Sequence, residues 1–164
     1  MFPLGHVGIG THLVPPRTRA QLGWRWLAFG CLLPDLIDKP LYLAARLLPR
    51  AGLDQLHLLR GSRLFGHTLF FLALLVAAAL LLRSGRLVAV AWGVSTHLLL
   101  DLVPDVASGA FFQWRTWLFW PLFGWGFPPA YAGNVWLEYA AYIVGDLVGI
   151  GLLIRDYLRS PTFR

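Results

Sequence analysis

The chain has 164 residues, of which 57% are hydrophobic, 15% aromatic and only 13% charged, with a mean hydropathy of +0.61. Soluble domains carry about 25% charged residues, so this composition excludes an ordinary water-soluble fold and makes lipid the expected solvent. The formal net charge of +6 comes almost wholly from arginines at the ends of apolar runs, where they meet headgroups, so a membrane explains the basicity and nucleic acid is not expected as a partner.

No polar linker separates two units, and residues 1–164 are expected to form a single integral membrane domain. The N-terminal stretch MFPLGHVGIGTHLVPP lacks the basic region and small-residue cleavage site of a secretory signal, so it is expected to stay in the mature protein. Pro3 to Val14 and Leu22 to Leu33 are each only about a dozen apolar residues, the length of half-spans or core helices, which could pair as a short hairpin. Cys31 is the sole cysteine, which rules out an internal disulfide and a cysteine-based metal framework and leaves it the role of a small buried hydrophobe. Pro34 and Pro40 bound an irregular end to the second segment, Leu41 to Leu48 reads as interfacial, and Pro49 to Ser62 is the most water-like stretch.

Leu64 to Leu82, about 19 residues bracketed by Arg63 and Arg83, matches the roughly 20 needed to cross the hydrocarbon. The tight turn Arg83-Ser84-Gly85-Arg86 then returns the chain antiparallel along Leu87 to Val103. Phe111 to Ala130 is crowded with Trp, Gly and Pro and reads as an interfacial or re-entrant aromatic belt. Val135 to Ile154 is the third span, carrying Glu138 and Asp146 two turns apart on one face and ending in Arg155, Asp156 and Arg159. The expected fold is all-α: a polytopic helical bundle with about three full spans plus the shorter N-terminal pair. Arginines near both ends of the spans leave its orientation open.

Ionisable residues inside apolar helices cost several kcal/mol each, so their placement points to function. His97 and Asp101, four apart, share one helix face about 6 Å apart along the axis. His67 near the start of its span lies level with them across the hairpin, Asp35 and Asp38 can turn into the same region, and His6 joins if the first helix folds back. Three His and three Asp form a hard nitrogen and oxygen set suited to one or two ions of zinc, or alternatively manganese or iron. Arg63, four residues before His67, shares its face if the helix reaches back to Ser62, and its planar fork suits phosphate or carboxylate. Structural hydrogen bonding between His97 and Asp101, and helix capping by Asp35 and Asp38, are the plainer alternatives. His12 and His57 are expected at the interface or in water.

The ordered set Gly5-His6, Leu33-Pro34-Asp35 with Asp38 following, Arg63 four residues before His67-Thr68, Thr96-His97-Leu98-Leu99-Leu100-Asp101, and Trp120-Pro121 resembles the YdjM-type membrane-bound metal-dependent hydrolases. The resemblance covers about residues 5 to 121. It departs from the family pattern in having Thr68 and Thr96 where Ser is usual, and in spacing the acids Asp-x-x-Asp. More loosely, the order of His and Asp is similar to that of zinc-dependent phospholipases C and nucleases. The resemblance and the ligand set together imply a prokaryotic inner-membrane enzyme with His6, Asp35, His67, His97 and Asp101 as metal ligands and Arg63 and Asp38 in the catalytic machinery. Its expected substrate is a lipid or small-molecule ester or phosphoester. A metal or proton carrier using the same cluster and a non-catalytic membrane scaffold are the competing readings.

Overall fold

The computed structural model describes residues 3–47, 62–110, 114–127 and 134–159, and every regular element among them is helical. Helix α1 (Pro3–Leu13) and the short α2 (Pro16–Leu22) lead into α3 (Trp24–Leu47). A single 3-10 turn (Phe65–His67) precedes α4 (Leu69–Leu81), and α5 (Gly85–Ser108), the five-residue α6 (Trp114–Leu118) and α7 (Val135–Arg159) complete the bundle.

Two helices among the described residues, α5 with 24 residues and α7 with 25, are long and apolar enough to cross a membrane. Helix α7 turns Ile143, Val144 and Leu147 outward at more than half exposure, the surface that lipid would cover. The expected span at Leu64 to Leu82 shrinks to the 13 residues of α4, about 20 Å long. The cause is local. The backbone N–H groups of Leu64, Gly66 and His67 are drawn to the Asp38 carboxylate at 2.7, 2.8 and 3.2 Å, and Thr68 caps the shortened helix by accepting from the Phe71 N–H.

The segment expected to break at Pro34 is instead one helix of 24 residues, so Asp35 and Asp38 sit on a regular helix face rather than in an irregular end. Each proline removes only one N–H donor, and packing against α5 holds the helix through both. That packing is backbone on backbone: a Cβ placed on Gly30 would lie 2.3 Å from the Val90 carbonyl oxygen, and one on Gly93 would lie 2.4 Å from that of Leu27.

The N-terminal pair does meet, Val7 of α1 packing with Ala28 and Cys31 of α3, but α1 makes its closest approach elsewhere. Helix α1 lies along α7, where a Cβ on Gly8 would meet the Gly149 carbonyl oxygen at 2.2 Å and the Gly5 N–H donates to Asp146 at 2.8 Å. Small residues four apart on α7, Gly145 and Gly149, let the two backbones touch, so α1 finds its closest partner at the far end of the chain. Cys31 is fully buried and free, as expected. Leu41 and Leu43 are about half exposed on the last turns of α3. The water-like stretch and His57 lie outside the described residues apart from Ser62.

Within 114–127 the chain makes α6 and a set of turns around a cis Trp120-Pro121 bond, so this region does not cross. It is more than a belt, because Trp117, Leu118 and Phe127 are buried against Leu64, Val94 and Leu98 and close one end of the core.

Candidate metal centre

The site begins with Asp38. Fully buried on α3, its carboxylate accepts the three backbone N–H groups already named and lies 2.6 Å from His67 Nδ1. A carboxylate only accepts, so Nδ1 carries a proton, and Nε2 is the atom turned into the bundle. On α5, His97 is fixed in the same sense: its Nδ1 donates to the Cys31 carbonyl at 2.6 Å, which again turns Nε2 inward. The two Nε2 atoms face each other at 3.1 Å.

Two neutral imidazoles held this way would oppose lone pair to lone pair, an arrangement that is repulsive unless a proton or a cation sits between them. Tetrahedral zinc with nitrogen ligands at about 2.0–2.1 Å places those nitrogens about 3.3 Å apart, close to the spacing observed. Asp101 Oδ2 lies 3.3 Å from His67 Nε2 and 3.7 Å from His97 Nε2, completing a buried group that could hold a metal ion. A second such group is His6, Asp35 and His97. The His6 ring stacks on His97 at 3.8 Å and its Nε2 lies 3.3 Å from Asp101 Oδ1, while its buried Nδ1 has no hydrogen-bond partner. That buried Nδ1 leaves the His6 imidazole with an unmet hydrogen-bond requirement next to the cluster. Asp35 Oδ1 approaches His67 Nε2 at 3.6 Å, and its other oxygen pairs with Lys39 at 2.6 Å.

Arg63 reaches the site by a different route from the expected one. It does not share a helix with His67. It enters from the extended residues before the 3-10 turn, with Nε 3.3 Å from Asp101 Oδ2 and Nη1 2.6 Å from Asp105 Oδ2. Its guanidinium stacks over Trp117 at 4.8 Å. Burial would favour loss of its proton, but the carboxylates of Asp101 and Asp105 outweigh that and hold it above its ordinary range, firmly charged. A pocket of about 200 Å³, lined by Asp35, Lys39, Arg63, His67, Asp101 and Tyr142, opens onto this cluster.

All seven residues read from the sequence therefore meet at one place: His6, Asp35, His67, His97 and Asp101 with their side chains converging, Asp38 behind His67 and Arg63 beside Asp101. Glu138 and Asp146 do face inward as their spacing suggests, yet Asp146 is spent on the Gly5 N–H and Glu138 accepts from the Tyr142 hydroxyl. His12 is not solvated. It is largely buried between the Gly8 carbonyl at 2.7 Å and Asp156 at 3.2 Å.

Asp105, Lys39 and Tyr142 were missed. Asp105 continues the four-residue series from His97 and Asp101, and Lys39 stands four after Asp35, so both had a visible signal. Tyr142 had only its spacing from Glu138.

Neither the curated proteins nor the solved structures contain a match to this chain. Residues 1–156 match the model of a family described as YdjM inner membrane protein, in agreement with the ordered His, Asp and Arg positions and with the two candidate spans. The chain thus belongs to the YdjM inner membrane protein family.

Proposed function

We propose that this protein is a membrane-embedded, metal-dependent hydrolase acting on an ester or phosphoester of a lipid-like substrate. The observation that carries the reading is the inward confrontation of His67 and His97 at 3.1 Å, each with its Nδ1 committed elsewhere and with Asp101 alongside. Zinc fits two imidazoles and carboxylates best, and manganese and iron accept the same set. Such an ion supplies a bound water of lowered pKa and polarises a phosphoryl or carbonyl oxygen.

The protein's own groups divide the remaining work. His6, Asp35, His67, His97 and Asp101 are the candidate ligands. Asp38 and the Cys31 carbonyl orient the two imidazoles, which makes Asp38 a positioning residue. Arg63 steadies Asp101 and presents a buried, permanent positive charge at the pocket, where an anionic headgroup would be drawn. The pocket takes residues from α3, α5 and α7, so a substrate whose tail remains in the bilayer could bring its polar end to the cluster.

Elemental analysis of detergent-purified protein, stripped of adventitious metal and reconstituted, tests the reading first. Near-stoichiometric zinc, manganese or iron in the wild type, lost in both His97→Ala and Asp101→Ala, is expected. Metal-dependent cleavage of lipid phosphoesters should follow. A folded wild type that takes up no metal would sink the proposal. Bound metal that is carried across proteoliposome membranes without any turnover would favour the carrier reading instead.

A further inference from the structure

The end of the bundle away from the metal centre is built from different chemistry. Ser108 at the end of α5 accepts from Asn134 at the start of α7, so α7 runs back antiparallel to α5, and Arg86 over the Trp26 ring at 5.5 Å sets the start of α5 beside the start of α3. This end therefore collects Arg17, Arg19, Arg25, Arg83, Arg86, Arg155 and Arg159. Among the described residues its sole acid is Asp156.

An open cavity of about 500 Å³ lies here, lined by Pro16, Arg19, Gly23, Trp24, Asp156 and Arg159. Asp156 is already shared by three basic side chains: His12 at 3.2 Å, Arg155 at 3.4 Å and Arg19 at 3.9 Å. Its charge is offset several times over. Arg19 Nη1 is buried with no hydrogen-bond partner, and none of the described acids lies within ion-pair reach of Arg159. Trp24 stands half exposed at the rim, the position aromatic residues take at a membrane interface.

We propose that this cavity binds the phosphate of an anionic membrane lipid, gripped between Arg19 and Arg159 with the headgroup against Trp24. Arginine's fork matches a phosphate in geometry as well as charge. A lipid is favoured over a free anion because the cavity opens at the arginine-rich end of a membrane bundle, the level at which headgroups lie. The proposal stands independently of the metal centre.

The test is thermal unfolding of the detergent-solubilised full chain titrated with phosphatidylglycerol, with phosphatidylcholine and with inorganic phosphate. Phosphatidylglycerol should raise the midpoint well beyond phosphatidylcholine. The Arg19→Gln/Arg159→Gln double variant should need at least about tenfold more phosphatidylglycerol for the same shift, because the charge-assisted arginine–phosphate hydrogen bonds in the cavity are lost. Arg83→Gln/Arg86→Gln, with the same charge change at the same end but outside the cavity, should respond like the wild type. If the double variant fails to fold, Arg159→Lys keeps the charge without the fork and should show a severalfold loss. A double variant equal to the wild type, or a control that loses as much, would overturn the site in favour of diffuse attraction. Inorganic phosphate protecting as well as the lipid would overturn the lipid in favour of a soluble anion.

Discussion

The two ends of this bundle handle charge in opposite ways. At the candidate metal centre the ionisable groups are buried and each has been fitted to particular atoms: Asp38 to three N–H groups and a ring nitrogen, Asp101 to His6, His67 and Arg63. At the opposite end the arginines outnumber Asp156, the one acid there among the described residues, which keeps 38% of its side chain exposed. Groups taken out of water must satisfy one another in detail, so their geometry becomes specific. Groups left at the interface are served by water and headgroups and need only the right sign.

That contrast is open to being broken, most forcefully at the ligands. His97→Ala is expected to weaken metal binding by more than about a hundredfold, measured by competition with a chromogenic chelator. Asp156→Asn should leave metal affinity unchanged. Equal losses in the two variants would mean that the ends are not separate. Asp38→Asn tests the positioning role: it keeps the shape but places an NH₂ against N–H donors. It should lower metal affinity by about 10–100-fold and cost about 3 kcal/mol of stability. Metal affinity at the wild-type level would show that His67 is oriented without it.

The helix crossings offer a smaller effect. Gly8→Ala pushes a methyl into the Gly149 backbone and is expected to cost about 1–3 kcal/mol in denaturant unfolding, whereas Gly151→Ala on the same α7 enters open space and should be neutral or stabilise by about 0.5–1 kcal/mol. Matching destabilisation in both would deny that α1 and α7 touch. Smallest of all is the stability effect of Asp156→Asn, under about 1 kcal/mol, because the carboxylate keeps 38% of its side chain exposed and ion pairs that reach water are worth little.

Much of the site was readable because a helix converts sequence spacing into geometry. His97 and Asp101 share a face for that reason alone, and the hairpin turn at Arg83 to Arg86 carries His67 to their level. The same rule would have reached Asp105. Tertiary bonds defeated the reading elsewhere. Hydropathy counts Leu64 to Thr68 as span, but Asp38, distant in sequence, takes their N–H groups and ends the helix early. Proline statistics break α3 at Pro34, but contact with α5 carries it on. His12 reads as interfacial or solvated, and nothing in its neighbourhood reveals that Asp156 lies beside it.

The sequence by itself determined the all-helical, lipid-solvated character of the chain, the two long apolar spans, and a metal-suited complement of His and Asp at compatible depths, since composition, run length and helical period are properties of local chain. Only the tertiary structure decided that α1 docks on α7, that Asp38 and the Cys31 carbonyl aim two imidazoles at each other, and that Arg63 comes in from a loop to meet Asp101 and Asp105. Those outcomes depend on which backbones can approach closely and which buried polar groups must find partners, and such requirements are met between residues as many as 141 positions apart.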